Sequence, residues 1–306
     1  MKYVYMLSGD ERERDMALAE ARALADARPC SAKLVEAERR IDIGRAAYAL
    51  CGLELIASGP DLDAACRELA DTKLASDDFA IEVRRIPRKL KIGHREVANA
   101  LALVIDGRPN LDHPAESFLA LVTADGVWFG RKLPAAEPGW RRFVRKPYDC
   151  SSALPAHMAR AVCNLVVRGG ERVVDPCCGS GSLLLHAAEL GADVTGFDIS
   201  KAMVGSTNKN LEHYGYAGQA SLGDATQIRG SYDVVLTNLP YGIMSPVTES
   251  TLRKLVHNIV RLAPRGVLIA ARDTSADIRE GGAVPDQVIR LPKFSMTRFV
   301  VTYERQ

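Results

Sequence analysis

The sequence lacks any long uncharged run of apolar residues, although apolar residues make up 47% of its 306 positions. A membrane-spanning helix needs about 20 consecutive apolar residues, so this absence excludes an ordinary membrane span. The opening stretch, MKYVYMLSGDERERD, becomes charged too early for a secretory signal. The sequence therefore predicts a soluble, cytoplasmic protein with enough apolar residues for a substantial core.

Cysteine is sparse, and its seven copies are scattered along the chain without a CxxC pair. The odd count and the spacing argue against a disulfide framework and against a structural zinc site. Cys177 and Cys178 are adjacent, and neighbouring cysteines rarely bind one tetrahedral ion. The six histidines form no pair that suggests a metal site, so we expect no bound metal.

Two stretches contain almost no acidic residues. Residues 84–95 carry six Lys or Arg and no acid, and residues 131–146 carry six more against Glu137 alone. A solvated face explains many charge runs, but Trp140 and Tyr148 lie in or beside the second run, which favours a surface for phosphate backbones. The candidate RNA-binding residues are Arg84, Arg85, Arg88, Lys89, Lys91, Arg131, Lys132, Arg141 and Arg142.

The second half of the chain alternates short β-branched runs with helical periods, the pattern of a parallel sheet covered by helices on both faces. The final RFVVTYERQ alternates as a strand suited to the far edge of this sheet. The predicted helices are 155–167, 181–190, 200–214 and 249–263. The predicted strands are RVVD (172–175), DVTGFD (193–198), QASLGD (219–224), YDVVLTN (232–238) and GVLIAA (266–271).

The first 150 residues follow a different, mixed α+β rhythm. A stretch rich in Pro, Gly and Arg at 134–150 marks the most natural boundary between the two parts. The segments predicted to be helical are DMALAEARALADA, IDIGRAAYAL (41–50), LDAACRELA and REVANALALVI. The segments predicted to be strands are YVYMLSG, GLELIAS, FAIEVRRI and the hairpin SFLALVTADGVWFGRKL.

Acidic residues stand at the carboxyl ends of three successive predicted strands, at Asp175, Asp198 and Asp224. The carboxyl ends of parallel strands share one edge of the sheet, where open α/β folds bind nucleotides. Gly179 and Gly181 follow the first acid, and glycines let a ligand approach the backbone. Each acid alone would equally well cap a helix, but three in series favour an adenosine-bearing ligand.

The glycine pattern disfavours a dinucleotide such as NAD. A GxGxxG fingerprint that begins at Gly179 needs its third glycine at position 184, which is Leu184. A ligand without phosphate, such as S-adenosylmethionine, fits better. Asp198 stands 23 positions after Asp175 and would accept hydrogen bonds from the ribose hydroxyls, whereas Asp224 would accept one from the adenine amino group. An NAD-dependent oxidoreductase is the weaker alternative.

Asn238, Leu239, Pro240 and Tyr241 follow the fourth predicted strand and therefore belong to the same edge. An exocyclic amine on a nucleobase is a poor nucleophile because its lone pair is delocalised into the ring. Hydrogen bonds from that amine to the Asn238 side-chain oxygen and to a main-chain carbonyl of Leu239 or Pro240 would orient it towards a methyl donor. Pro240 stiffens the loop, and Tyr241 offers a face on which an extruded base can stack.

These residues resemble the amino-group branch of the Rossmann-like S-adenosylmethionine-dependent methyltransferases, whose signature is (Asp/Asn)-Pro-Pro-(Tyr/Phe). Leu239 stands where that signature has its first Pro. DPCCGSGSLLLHAA (175–188) resembles the glycine loop of the same family. KPYDCSSALPAHMARAVCNLV (146–166) and the amino-terminal MKYVYMLSGDERERDMALAEARAL resemble the archaeal THUMP-domain tRNA guanosine N2-methyltransferases of the guanosine-10 type.

The resemblance implies a ferredoxin-like part at 1–42, a THUMP RNA-binding domain at 43–140 and a Rossmann-like methyltransferase domain at 141–306. It implies methyl transfer from S-adenosylmethionine to the N2 amine of a guanosine in tRNA, expected at position 10, by a protein for which a monomer is plausible. The implied catalytic group, which holds the base, is Asn238, Leu239, Pro240 and Tyr241. The implied cofactor-binding residues are Asp175, Cys177, Gly179, Gly181, Asp198, Ile199, Asp224, Ala225 and Asn238.

Three alternatives stay open from the sequence. The guanosine-10 enzymes usually carry Asp at the position of Asn238, whereas relatives acting at guanosine 6 carry Asn-Leu-Pro-Tyr, so guanosine 6 is a second target. The same four residues also fit amino methylation of adenine or cytosine in DNA. A non-enzymatic RNA-binding module would keep the basic surface without turnover.

An amide cannot accept the proton lost by the amine, so in any of the methylation reactions that proton leaves to water or to another acceptor.

Overall fold

The computed structural model describes residues 1–151, 153–240, 248–293 and 296–305. The chain forms two compact units. Unit 1 comprises residues 1–8, 24–44 and 48–137, and unit 2 comprises residues 9–23, 45–47 and 138–306. The three-part division at residues 42 and 140, with its ferredoxin-like and THUMP assignments, stays a prediction.

Helices and strands occur in both units, and two short 3-10 helices lie at Glu11–Glu13 and Gly139–Arg145. No helix within the described ranges is long and apolar enough to span a membrane. The α-helices are α1 (Arg14–Ala25), α2 (Leu62–Thr72), α3 (His94–Ala102), α4 (Ala156–Val166), α5 (Ser182–Glu189), α6 (Lys201–His213), α7 (Glu249–Leu262) and α8 (Ser275–Glu280). The strands are β1 (Tyr3–Leu7), β2 (Arg28–Ser31), β3 (Leu34–Ala37), β4 (Ala49–Gly59), β5 (Ala75–Ile86), β6 (Asp106–Pro109), β7 (Glu116–Thr123), β8 (Val127–Lys132), β9 (Arg172–Asp175), β10 (Asp193–Asp198), β11 (Gln219–Leu222), β12 (Val234–Asn238), β13 (Arg265–Ala270), β14 (Val284–Lys293) and β15 (Met296–Glu304).

Unit 1 is built on one sheet with the strand order β2-β3-β1-β4-β8-β7-β5-β6. Alternate side chains of its strands point to one face, where Phe79, Phe118 and Phe129 pack against apolar residues of α2 and α3. The Ser31 hydroxyl lies 2.7 Å from a carboxylate oxygen of Asp125, although four strands separate β2 from β7 in the sheet. The sheet is therefore strongly curved.

Unit 2 contains a seven-stranded sheet with the order β11-β10-β9-β12-β13-β15-β14. Strands β9 to β13 pair in parallel, and β15 runs antiparallel to both β13 and β14. From β9 the chain adds β10 and β11 on one side and then β12 and β13 on the other, so the strand order reverses between β9 and β12. Open α/β sheets form a ligand crevice at this point. This arrangement confirms the Rossmann-like α/β fold predicted for the second half.

Helix α1 belongs to unit 2 for most of its length. The buried carboxylate of Glu20 accepts a hydrogen bond from the side-chain amide of Asn164 at 2.7 Å and another from the main-chain N–H of Ala47 at 2.8 Å. The Arg45 guanidinium donates to the carbonyl of Val167 at 2.6 Å. Two short pieces from the first fifth of the chain thus form part of the unit that contains the seven-stranded sheet.

Two predictions about local structure are wrong. Residues 41–50 do not form a helix: they form turns and then enter β4, because residues 45–47 are held by contacts in unit 2 such as the one between Arg45 and Val167. The last strand does not lie at the edge of its sheet, since β14 pairs along its outer side. Pro285 and Pro292 obscure β14 in the sequence, and proline is tolerated at an edge because no partner strand needs its missing N–H.

Candidate active site

The loop between β9 and α5 is held in shape by two buried polar side chains of α6. Gly179 and Gly181 have φ values of +53° and +81°, in the left-handed region that favours glycine. The Gly179 carbonyl accepts a hydrogen bond from the Thr207 hydroxyl at 2.7 Å, and the Ser180 carbonyl accepts one from the Asn210 amide at 2.9 Å. A Cβ placed on Gly179 would meet no atom within 4 Å, so this face of the loop has room for a ligand.

Asp198 connects the end of β10 to the same loop. Its carboxylate accepts the N–H of Gly179 at 2.9 Å and the N–H of Ser200 at 2.8 Å. A carboxylate has about four acceptor positions, so these two bonds leave capacity for ribose hydroxyls. The next residue, Ile199, is 78% exposed and offers an apolar surface at this edge. The predicted contacts of Asp198 and Ile199 with the cofactor stay predictions.

Asp175 lies beneath the loop and is 2% exposed. Burial raises the pKa of this carboxyl to about 7, and the hydrogen bond that it accepts from the Cys177 N–H at 3.0 Å opposes that rise. Its surroundings make it a support for the start of the loop. The direct contact between Asp175 and the cofactor stays a prediction, as does that of the half-buried Cys177.

Asp224 follows β11 and holds its own turn. One carboxylate oxygen accepts hydrogen bonds from the N–H and the hydroxyl of Thr226, both at 2.8 Å. These hydrogen bonds lower the pKa of Asp224, so its carboxylate stays ionised and accepts hydrogen bonds over a wide pH range. Ala225 is buried in the core of unit 2. The predicted contact of Asp224 with the adenine amino group and that of Ala225 with the cofactor remain predictions.

Asn238 is the last residue of β12 and is half-buried. It lies beside Ile269 in the parallel register with β13, and the following N–H, of Leu239, donates to the Ile269 carbonyl at 2.8 Å. Leu239 is buried in the core and Pro240 is exposed, whereas Tyr241 lies outside the described residues. Because β12 and β9 are neighbours, Asn238 belongs to the same sheet edge as the glycine loop.

The candidate RNA-binding residues of unit 1 differ in their surroundings. Arg84 and Lys132 each form an ion pair with Glu82, at 2.5 and 2.6 Å, and Arg131 forms one with Glu116 at 3.4 Å. The Arg85 guanidinium donates to two carbonyls of the following loop. The remaining three, Arg88, Lys89 and Lys91, are exposed.

Arg141 and Arg142 belong to unit 2, where both are exposed. Sequence reasoning missed Thr207 and Asn210, which hold the glycine loop. A signal was available, because both fall on the buried stripe of α6 that also includes Leu211, and a polar residue on an apolar stripe needs a partner. Within the described ranges, no three His, Cys, Asp or Glu side chains gather as a metal site would require.

Comparison with known proteins assigns the chemistry of this sheet edge. Residues 142–273 match the family UPF0020, described as an RMKL-like methyltransferase domain. This part of the chain is a methyltransferase domain. The crystal structure of TrmN from Thermus thermophilus has a similar fold, with a TM-score of 0.52 and 20% identity over the full length of both chains.

Two relatives with curated names extend the comparison. A tRNA (guanine(10)-N2)-dimethyltransferase from Methanothermobacter thermautotrophicus is 26% identical over 283 residues, which covers 85% of this chain and 84% of the relative. A tRNA (guanine(6)-N2)-methyltransferase from Archaeoglobus fulgidus is 27% identical over 156 residues, covering 41% of this chain and 38% of the relative.

S-adenosylmethionine is the cofactor of this methyltransferase domain, as the sequence predicts. The residues at the sheet edge fit it. The open face at Gly179 gives space next to the backbone, the Asp198 carboxylate has acceptor capacity for hydroxyls, and Ile199 supplies an apolar surface.

Proposed function

We propose that this methyltransferase transfers a methyl group from S-adenosylmethionine to the exocyclic N2 amine of a guanosine in tRNA, at position 10. The observation that carries the proposal is the placement of Asn238 at the end of β12, next to the strand that leads into the open glycine loop. The names of the two relatives supply the substrate class. We further propose that the enzyme works in the cytoplasm.

Asn238 orients the amine in this proposal. When bound, S-adenosylmethionine supplies an electrophilic methyl group. The Asn238 side-chain oxygen accepts one N–H of the guanine amine, and a main-chain carbonyl of Leu239 or Pro240 accepts the other, which turns the nitrogen lone pair towards the donor. A carboxamide oxygen does not take up a proton near neutral pH, so the proton leaves to water or to another acceptor. Correct orientation alone supplies on the order of 7 kcal/mol in favourable cases.

The surrounding sheet explains why Asn238 can do this with precision. Its backbone is fixed by the parallel register with β13, and the Leu239 side chain, 1% exposed, anchors the next position in the core. Pro240 then restricts the chain as it leaves the strand. In this proposal the amide side chain reaches the ligand from the end of β12, and Tyr241 completes the group as a stacking surface.

The exposed cations of unit 1 supply the proposed contact with the tRNA backbone. Arg88, Lys89 and Lys91 lie in the acid-free stretch 84–95 and are exposed. The same stretch also contains Arg84, whose charge is compensated by Glu82. Arg131 and Lys132 are likewise paired with acids, so we assign the backbone contact to Arg88, Lys89 and Lys91, whose attraction to phosphates falls as salt concentration rises.

Methyl transfer to defined substrates tests the proposal. The full chain is incubated with labelled S-adenosylmethionine and an unmodified tRNA transcript, with duplex DNA as the second substrate. Mass spectrometry of the nucleosides is expected to show N2-methylated guanosine from tRNA, with one or two methyl groups, and no product from DNA.

Inosine gives a matched control because it is guanosine without the N2 amine. A tRNA with inosine at position 10 is expected to lose the label, whereas inosine at position 6 should leave it unchanged. The reverse pattern would move the target to guanosine 6. Label on DNA, or on another atom of the tRNA, would overturn the proposed substrate.

A further inference from the structure

We infer that the methyltransferase domain carries its own RNA-binding surface beside the glycine loop, formed by cations that lie over aromatic rings. The surface consists of Arg142, Tyr148, Lys209, Tyr214 and Tyr216 and is called the aromatic–cation surface below. The inference rests on the proposed tRNA substrate. It assigns to this surface the RNA phosphates and an unpaired base close to the methyl donor.

The surface forms because one segment lies along the second half of α6. At one end, the Arg142 carbonyl accepts a hydrogen bond from the Tyr214 hydroxyl at 3.1 Å. The next residue, Phe143, packs edge-on against Tyr214, with ring centroids 4.9 Å apart. At the other end Tyr148 meets Asn210. The segment and the helix therefore run side by side, and their exposed side chains share one surface.

The cations of this surface are positioned by rings. The Arg142 guanidinium lies 5.3 Å from the ring centroid of Tyr216 and 5.9 Å from that of Tyr214, and it also contacts the Tyr216 hydroxyl. The Lys209 ammonium lies 5.0 Å from the centroid of Tyr148. An aromatic face attracts a cation and orients it without cancelling its charge. These two charges thus remain available to phosphates.

A neighbouring acid is itself neutralised. The carboxylate of Asp149, next to Tyr148 in the chain, contacts the buried Lys146 ammonium and accepts the N–H of Cys150 at 2.8 Å. Exposed Arg145 adds positive charge to the segment, whereas Glu212 is an exposed acid on the same half of α6. The balance around Arg142 and Lys209 is positive, which complements a polyanion.

Asn210 fixes this surface to the glycine loop. Its side-chain nitrogen donates to the Tyr148 carbonyl at 2.7 Å and to the Ser180 carbonyl at 2.9 Å, and its oxygen accepts the Tyr148 N–H at 3.1 Å. Asn210 is fully buried, whereas Tyr148 is 42% exposed. A tyrosine with a fixed backbone and an accessible ring is suited to stack an unpaired base, and Lys209 beside it is suited to the adjoining phosphate.

Binding of the full chain to an unmodified tRNA transcript, measured over a series of KCl concentrations, tests the inference. The slope of log affinity against log salt concentration is negative, and Arg142→Gln and Lys209→Gln are each expected to make it less steep by about 1. Tyr148→Leu is expected to weaken binding roughly tenfold, and Tyr148→Phe should keep wild-type affinity because it keeps the ring. Arg279→Gln removes an exposed cation on α8 and serves as the matched control.

A parallel titration with S-adenosylmethionine separates this role from support of the cofactor loop. Lys209→Gln is expected to keep wild-type affinity for the cofactor. The inference is overturned if the Arg142 and Lys209 variants bind tRNA with the affinity and salt slope of Arg279→Gln, or if their only defect is in cofactor binding. Absence of methyl transfer to tRNA by the wild type would instead contradict the proposed function, so the two failures are distinguishable.

Discussion

The two units use their charged side chains for different purposes. In unit 2, Asp175 and Asp198 accept main-chain N–H groups and thereby shape the loop that receives the methyl donor. In unit 1, Glu82 faces Arg84 and Lys132 on the surface of a sheet. Exposed ion pairs of that kind contribute about 0–1 kcal/mol and weaken with salt. Substitutions should therefore have large, local effects in unit 2 and small, salt-dependent effects in unit 1.

The largest effect is expected at Asn238. Asn238→Ala removes the oxygen that orients the amine and should lower the rate of methyl transfer by about 10² to 10³, the range found when one preorganised hydrogen-bonding group is lost. Single-turnover transfer to tRNA measures this rate. Asn238→Asp is the control, because a carboxylate oxygen can accept the same hydrogen bond. An alanine variant with the wild-type rate would remove Asn238 from the mechanism.

The buried carboxyl of Asp175 should make stability depend on pH. Its pKa is about 7 in the folded chain and close to 4 in an unfolded one, so the folded state loses stability as the pH rises from about 4 to above 7. Asp175→Asn removes this loss. The difference in free energy of unfolding, Asp175→Asn minus wild type, should be roughly 2–3 kcal/mol more positive at pH 8 than at pH 5. Denaturant titrations at the two pH values provide the measurement, and an equal difference at both would refute it.

A smaller effect is expected from the carboxylate that holds Gly179. Asp198→Asn replaces one of the two carboxylate oxygens by N–H₂, so one of the two main-chain N–H groups loses its acceptor, which costs about 1–3 kcal/mol and should weaken cofactor binding about 10- to 100-fold. Calorimetric titration with S-adenosylmethionine checks this. Asp193→Asn makes the same change at the exposed opposite end of β10 and should bind the cofactor as the wild type does.

The smallest effect is expected in unit 1. Glu82→Gln removes the partner of Arg84 and Lys132 and should lower the free energy of unfolding by less than about 1 kcal/mol, a difference that should vanish in 1 M salt. The same change exposes two uncompensated cations, so tRNA affinity at low salt should rise. A loss of several kcal/mol that persists in high salt would contradict the expected small contribution of the Glu82 ion pairs to the stability of unit 1.

The sequence predicted unit 2 well because the causes there are local. Strands β9 and β10 match their predicted bounds, since each is a β-branched run that ends at an acid with a structural task. The position of Asn238 followed from the same pattern. Long-range contacts explain what was missed: residues 45–47 are bound by Asn164 and Glu20, which lie far away in the chain.

The candidate site was predicted in part for a related reason. Acids and glycines at strand ends are visible in a sequence, whereas the partners that a folded chain gives them are not. Glu82 stands two positions before Arg84 and shares its face of β5, but the second ion pair of Glu82, with Lys132 of β8, depends on how the strands are arranged in the sheet and cannot be read from the run 84–95. Thr207 and Asn210 were missed because their partners are main-chain carbonyls of a loop more than twenty residues earlier.

The placement of α1 has a practical consequence for anyone who wishes to express the catalytic half alone. A fragment beginning at residue 138 would discard Glu20 and Glu13, and with them the partners of Asn164 and His157 on α4. Such a truncation would expose side chains of α4 that α1 normally contacts. Recombinant material should therefore retain the amino-terminal segment, or supply it as a separate peptide in the refolding mixture.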